Sequence, residues 1–420
     1  MAVKGPVQVT NKATLTDELV RIADICQGCR RCLSLCPSFD VLFKALDVPE
    51  VDGEAEKLPG KVLGDFVDLC YECKLCIPHC PYIPPHRWSV DIPHLVLDAR
   101  RVRVEEKGLS LREKLLSRPD KLGALSRPVA PIANFVNSLP VARWAMEKTM
   151  GIASEKHLPR FVWQTFTKWF EKRGGSRVAS PVAKVVLFPT CSVEWNRPDI
   201  GKAAVQVLEH NNIEVAVEYP QCCGMPYFDV GDVKAANEAR TALVAAFKSW
   251  VSKGYTIVTP GPSCSLMIKK EYPWLSKDED TLGVSKAAKD LCEFLMEMKT
   301  KGNLSLVFPK APATVAYHLP CHLKVQNIGY KSRDLLAATG AKVTMVEKCS
   351  GHDGTWAMKV EYFEESMKVG KKLFDGLAAA NAEILASDCA LAGVQIRQGM
   401  GKPVLHPIEV IRNAYGLEAP

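Results

Sequence analysis

Cys26-Gln27-Gly28-Cys29-Arg30-Arg31-Cys32-Leu33-Ser34-Leu35-Cys36-Pro37 and Cys70-Tyr71-Glu72-Cys73-Lys74-Leu75-Cys76-Ile77-Pro78-His79-Cys80-Pro81 are two copies of one pattern, C-x2-C-x2-C-x3-C-P. Two intervening residues let three sulfurs converge from one tight loop, and the fourth cysteine is carried onward past it. Eight thiolates so spaced match two [4Fe–4S] clusters, the fourth cysteine of each run serving the other cluster. The spacing therefore predicts Cys26, Cys29, Cys32 and Cys80 on one cluster, and Cys70, Cys73, Cys76 and Cys36 on the other. Pro37 and Pro81 stop the local helix and turn the chain away. A zinc site normally takes two pairs of ligands, not runs of four. His79 reads as a surface residue, because the cysteines already complete both sets. Thirty-three residues separate Cys36 from Cys70, with helical patterns over Ser38–Leu46 and Lys61–Leu69. That wide spacing suggests the helical type of ferredoxin domain.

Working outward, eight more cysteines follow in the second half of the chain. Val185–Phe188, Ile213–Val217 and Thr256–Thr259 read as strands, with helices near 199–211 and 232–253. The order then repeats: strands at Thr314–His318, Lys342–Val346 and Glu383–Ala386, helices near 331–339 and 359–380. Alternation of this kind predicts parallel sheets with helices on their faces. Cys191, Cys222-Cys223-Gly224 and Cys264 each follow a strand of the first set; Cys321, Cys349-Ser350-Gly351 and Cys389 follow those of the second. Equivalent cysteines are 130, 127 and 125 residues apart, which points to a duplication. Ligands of an open parallel sheet bind beyond the carboxyl ends of its strands. Helix N-termini there favour thiolates. The first repeat keeps four thiols, Cys191, Cys222, Cys223 and Cys264, which suffice for a third iron–sulfur cluster. The second keeps three, Cys321, Cys349 and Cys389, for a further metal site. Its fourth ligand would be His318, His322, His352, a solvent molecule, or nothing, with His352 the best placed of the histidines. Cys292 has no counterpart in the repeat and reads as a buried structural cysteine.

The chain has 420 residues, 47% hydrophobic and 24% charged, a soluble multidomain balance. No run of 18 apolar residues and no leader pattern is present, so the expectation is a cytoplasmic protein. Residues 81–180 carry 18 Lys/Arg against 9 Asp/Glu, more than the whole excess of +7. The basicity is thus confined to one segment, and nucleic acid is not expected as a partner. Residues 85–180 hold amphipathic helices broken by prolines. In Phe161–Phe170, the residues Phe161, Val162, Phe166, Trp169 and Phe170 share one half of a helix. That face packs on the chain's own core or lies on a membrane or partner subunit. No dinucleotide fingerprint, phosphate loop or Ser–His–Asp constellation is found, and no catalytic residue is assigned.

The Cys-Cys-Gly-type repeats resemble the cysteine-rich domains of heterodisulfide reductase. A two-cluster ferredoxin ahead of them resembles the iron–sulfur subunits of the anaerobic glycerol-3-phosphate dehydrogenase and glycolate oxidase type. Ser110-Leu111-Arg112, Arg127 to Ile132, Lys269 to Pro273 and Tyr317 to His322 carry the likeness further. The resemblance implies an α+β multidomain fold: a helical two-cluster ferredoxin domain (1–95), a basic amphipathic helical linker (96–180) and two Rossmann-like cysteine-rich domains (181–300 and 301–420). It implies an electron-transfer subunit between a flavoprotein dehydrogenase and quinone or another acceptor, peripheral on the inner face of the cell membrane. The alternative is reduction of a disulfide at the cysteine-rich site. The chain departs from the full motif at Met267, Ser350 and Ala392, where further cysteines would stand.

Overall fold

The computed structural model describes residues 5–352 and 354–418. The chain divides into two compact units, Met1–Lys114 with Tyr227–Val233, and Leu115–Pro226 with Lys234–Pro420.

The first unit is helical. Asn11 caps the helix Lys12–Cys29 through a capping box with Thr14, satisfying N–H groups that the first turn leaves free. Its apolar positions Leu15, Leu19, Ile22 and Ala23 recur at helical spacing and bury against the helices Pro37–Leu46, Gly60–Leu69 and Ile92–Lys107. Phe39, Phe43 and Phe66 pack at the centre, with Phe39 stacked on Phe43 and edge-on to Phe66. Both predicted helices between the cysteine runs are present within a residue of their expected bounds.

A short stretch from far along the chain completes this unit. Phe228 is fully buried, with the Lys74 ammonium 5.3 Å from its ring centroid. The Arg100 guanidinium donates to the carbonyls of Asp229 (2.6 Å), Val67 (3.2 Å) and Cys70. Gly231, at φ +85°, lies so close to the Arg100 backbone that a Cβ would sit 2.5 Å from its carbonyl carbon. Only glycine meets both demands.

In the second unit, β1 (Ala183–Leu187), β2 (Ile213–Val217), β3 (Thr256–Thr259) and β4 (Ala288–Asp290) form a parallel sheet in the order β2-β1-β3-β4. β5 (Thr314–His318), β6 (Lys342–Val346) and β7 (Ile384–Ser387) form a second, in the order β6-β5-β7. The central strands are runs of Val, Ile, Leu and Ala buried on both faces, as parallel sheets require. β4 was not foreseen, because three residues reading Ala-Lys-Asp carry no strand pattern. Its counterpart in the second repeat is a single parallel bridge, Ala386 to Leu405. The likeness continues beyond it: Asp290 with Glu293, and His406 with Glu409, each form a capping box opening a helix. The duplication thus extends one element past the cysteines that revealed it.

The amphipathic face expected over 161–170 is resolved in favour of the core. The helix begins only at Phe166, where Thr165 caps it, and Phe166 and Phe170 bury against the helix Pro198–His210. Trp163 is exposed just before Phe166, and a larger group of exposed apolar side chains lies earlier, over the helices Pro119–Ser126, Ala130–Val136 and Pro140–Met150. Leu125, Ile132, Phe135, Val141 and Trp144 are each 59–77% exposed there.

Candidate metal centres

Cys26 and Cys29 occupy the last turn of the first helix, which ends where Arg30 turns left-handed at φ 53° and donates to the Cys26 carbonyl. Cys36 is the N-cap of Pro37–Leu46, with Pro37 at its first position. Cys70 ends Gly60–Leu69, Glu72 and Lys74 take positive φ, and Cys76 opens the short helix Cys76–His79 that delivers Cys80.

These local geometries bring the cysteines together across the runs. The Cys26 thiol is surrounded by those of Cys32, Cys80 and Cys29, and Cys76 by those of Cys70 and Cys36. One concavity is lined by Cys26, Cys29, Cys32 and Cys80 together. Cys73 lies buried in the second loop. Burial, and then the neighbouring sulfurs, push the thiols of Cys26 and Cys76 well up; Cys32 rises to about 11 for the same reasons. Crowded thiolates in a dry site repel one another, and a bound cation reverses that cost. The donor set, its space and its electrostatics fit an iron–sulfur group.

In the first repeat, Cys191 stands at the start of Thr190–Trp195 after β1, Cys222 and Cys223 in the loop after β2, and Cys264 in Pro262–Leu266 after β3. Their sulfurs form a chain: Cys222 lies in hydrogen-bonding reach of both Cys191 and Cys223, and Cys223 Sγ is 3.3 Å from Cys264 Sγ. Cys223, hydrogen-bonded to the sulfurs of both Cys222 and Cys264, is held well below the ordinary thiol range. Tyr219 donates to Cys191 Sγ (3.3 Å) and Tyr272 to the Cys223 carbonyl (2.8 Å), fixing both ends. Gly224 and Gly351 turn the two equivalent loops at φ +92° and +72°, and a Cβ on Gly351 would lie 2.0 Å from the Ser366 carbonyl oxygen.

In the second repeat Cys321 opens Cys321–Lys324, Cys349 accepts from the Gly351 N–H (3.3 Å), and Cys389 caps Ala390–Met400, accepting from the Ala392 N–H (3.4 Å). An 11-residue helix behind Cys389 favours its thiolate. Cys389 also lies within electrostatic range of Cys264, so the two repeats meet at their cysteine ends. Ser263 Oγ and His322 Nδ1 are 2.9 Å apart, and Gln326 donates to Ser265 Oγ (2.8 Å). Of the three candidate histidines, His318 is engaged with Ser387 (2.9 Å) and His322 with Ser263, while buried His352 has neither ring nitrogen paired. Lys156 lies beside it, bonded to Gln395 and lowered to about 8 by burial. Sequence reasoning did not single out this lysine.

Cys292 is a core residue, as expected, yet it belongs to a polar hub that was missed. Asp388 accepts from Tyr317 (2.6 Å), Ser332 (2.6 Å) and the Cys292 thiol (3.6 Å), with Asp290 beside it. Burial, and then Asp388, hold the Asp290 carboxyl well above its usual range. The Asp290-x-x-Glu293 capping box was the available signal.

Residues 19–106 match the citrate utilization protein B Fer4-like domain, and residues 185–269 and 315–397 each match a cysteine-rich CCG domain. Those domains define an iron–sulfur protein of the oxidoreductase type. More particularly, the chain is homologous to the C subunit of anaerobic glycerol-3-phosphate dehydrogenase. It is 26% identical to that protein of Escherichia coli (strain K12) over 323 residues, 76% of this chain and 81% of the relative. It is 29% identical to lactate utilization protein A 1 of Bacillus cereus (strain AH820) over 244 residues, 55% of this chain and 99% of the relative. Lactate utilization protein A of Bacillus thuringiensis (strain Al Hakam) is as similar over the same length. No helix among the described residues is long and apolar enough to cross a membrane.

Proposed function

We propose that this chain is the electron-relay subunit of an oxidoreductase complex, carrying electrons between a flavoprotein dehydrogenase and quinone or another acceptor. The observation that carries the reading is the interleaving of the two runs, Cys80 beside the first loop and Cys36 beside the second. One [4Fe–4S] cluster is held by Cys26, Cys29, Cys32 and Cys80, and another by Cys70, Cys73, Cys76 and Cys36. A third cluster is held by Cys191, Cys222, Cys223 and Cys264. Cys321, Cys349 and Cys389 serve a further site, with His352 as the fourth donor. Such clusters, when bound, exchange single electrons at potentials set by charge, hydrogen bonding and exposure. The protein's part is to hold the sulfurs, neutralise charge and exclude water. The modules proposed are 1–95, 96–180, 181–300 and 301–420, with the helix Ile92–Lys107 and the stretch Tyr227–Val233 joining the first in the folded chain.

The exposed apolar side chains over 119–150, set among Arg118, Lys121 and Arg127, form a peripheral contact with an anionic lipid surface. A second reading, reduction of a disulfide, is favoured by one observation: the cysteine ends of the two repeats face each other. Iron and acid-labile sulfide per chain, measured on protein purified without oxygen, with EPR of reduced and oxidised samples, test the proposal. More than eight iron, with a signal lost in Cys222→Ser, supports three clusters. Eight iron with reduced cubanes alone removes the third cluster and with it the disulfide reading. Fewer than about four in folded protein sinks the relay itself.

A further inference from the structure

The two ferredoxin cysteine loops differ in access. In the second loop Tyr71, Glu72, Cys73 and Lys74 are all buried. Phe228, within the same unit, packs over Lys74, and Arg100 donates to the Cys70 carbonyl. Around the first loop Arg31, Leu33 and Ser34 lie at the surface, Leu33 exposed by 48%. The concavity over its four cysteines is lined by Arg30, Arg31 and His79 and by no carboxylate. Arg30 is neutralised by its ion pair with Asp47 (2.5 Å), but Arg31, exposed, lines the same concavity as the sulfurs of Cys32 and Cys80.

We propose that the Cys26 loop is the port through which this chain exchanges electrons with a separate redox protein, one that presents a carboxylate-rich rim around an apolar centre. The Cys70 loop is the inner station. The rim supplies what such a contact needs: an exposed apolar residue, Leu33, at its middle and an uncompensated cation, Arg31, in reach of both solvent and sulfur. Tunnelling weakens steeply with distance, so the less covered site governs exchange with an external partner. Charge of one sign on the rim steers the encounter. The inference rests on the two-cluster reading.

Stopped-flow oxidation of the dithionite-reduced full chain by ferricyanide tests it. Each event moves one electron from a reduced cluster to the trianion, leaving ferrocyanide and the oxidised cluster, with no bond or proton transferred. Arg31→Glu changes the rim by two charges. At about 8 Å and ~0.1 M salt that slows the fast phase about five- to ten-fold. The same variant speeds oxidation by the cationic tris(phenanthroline)cobalt(III) by a similar factor. Leu33→Glu, which adds one charge at an exposed position, shifts both rates the same way by a smaller factor. Unchanged rates in both variants at full iron content overturn the port while leaving the clusters in place. Low iron in the unmodified chain overturns instead the reading beneath it. If Arg31→Glu assembles poorly, Leu33→Glu decides alone.

Discussion

Cys36→Ser removes a thiol that belongs to the first run by sequence and to the second loop by position. The Cys36 sulfur is a neighbour of Cys70 and Cys76. It reaches them because Cys36 is an N-cap, extended at φ −158° and ψ 165°, from which the chain runs away along Pro37–Leu46. The expected loss is therefore one whole cluster of the second set, about four iron per chain. Double variants expose the assignment through non-additivity. Cys36→Ser with Cys73→Ser removes about four iron in total, because both residues serve one cluster. Cys36→Ser with Cys29→Ser removes about eight. Iron, sulfide and the cubane EPR signal, measured on oxygen-free preparations of all four proteins, read the result. If Cys36→Ser with Cys29→Ser costs only about four iron, each run holds its own cluster and the interleaved assignment is wrong.

Three further outcomes follow from the packing. Gly351→Ala forces a Cβ to within 2.0 Å of the Ser366 carbonyl at φ +72°, whereas Gly340→Ala at φ +92° meets nothing within 4 Å. Urea unfolding is expected to show a loss of about 3 kcal/mol or more for the first and about 1 kcal/mol for the second, and equal losses would refute the packing argument. Asp290→Asn keeps a good N-cap and removes a charge whose folded pKa is raised by burial and Asp388. A raised carboxyl contributes its stability below the unfolded pKa of about 4 and loses it as pH rises toward the folded value, so the variant's advantage grows from about pH 5 upward. A gain of about 1 kcal/mol in melting experiments at about pH 8 is expected, and a loss at that pH would count against it. Phe135→Glu with Trp144→Glu, both on an exposed face, should weaken binding to phosphatidylglycerol vesicles by about ten-fold or more in flotation assays and leave iron content unchanged; undiminished flotation would rule out this face.

Much of the fold was legible because its signals are local. Runs such as Ile213–Val217 and Thr314–His318 are apolar and short, and their observed strands have those bounds. The near-equal offsets of Cys191, Cys222 and Cys264 from their partners announced a duplication that the two parallel sheets repeat. What escaped reading depends on tertiary context. Ala288–Asp290 becomes a strand only because β3 lies alongside to pair with it. Helical periodicity over 161–170 could not say where the helix starts, and the Thr165 cap moved its beginning past Phe161 and Trp163. Lys156 reaches His352 across nearly two hundred residues of chain, and no spacing rule predicts such a pairing.

The Tyr227–Val233 insertion also has a consequence in time. Phe228, Asp229 and Gly231 complete the side of the first unit that carries Lys74 and Arg100, yet they are synthesised roughly 120 residues after Lys114, a delay of about 6–24 s at ordinary ribosomal speed. Through that interval the nascent second cysteine loop stands uncovered. A fragment ending at Lys114 would lack both the Phe228 ring over Lys74 and the Asp229 carbonyl that Arg100 grips.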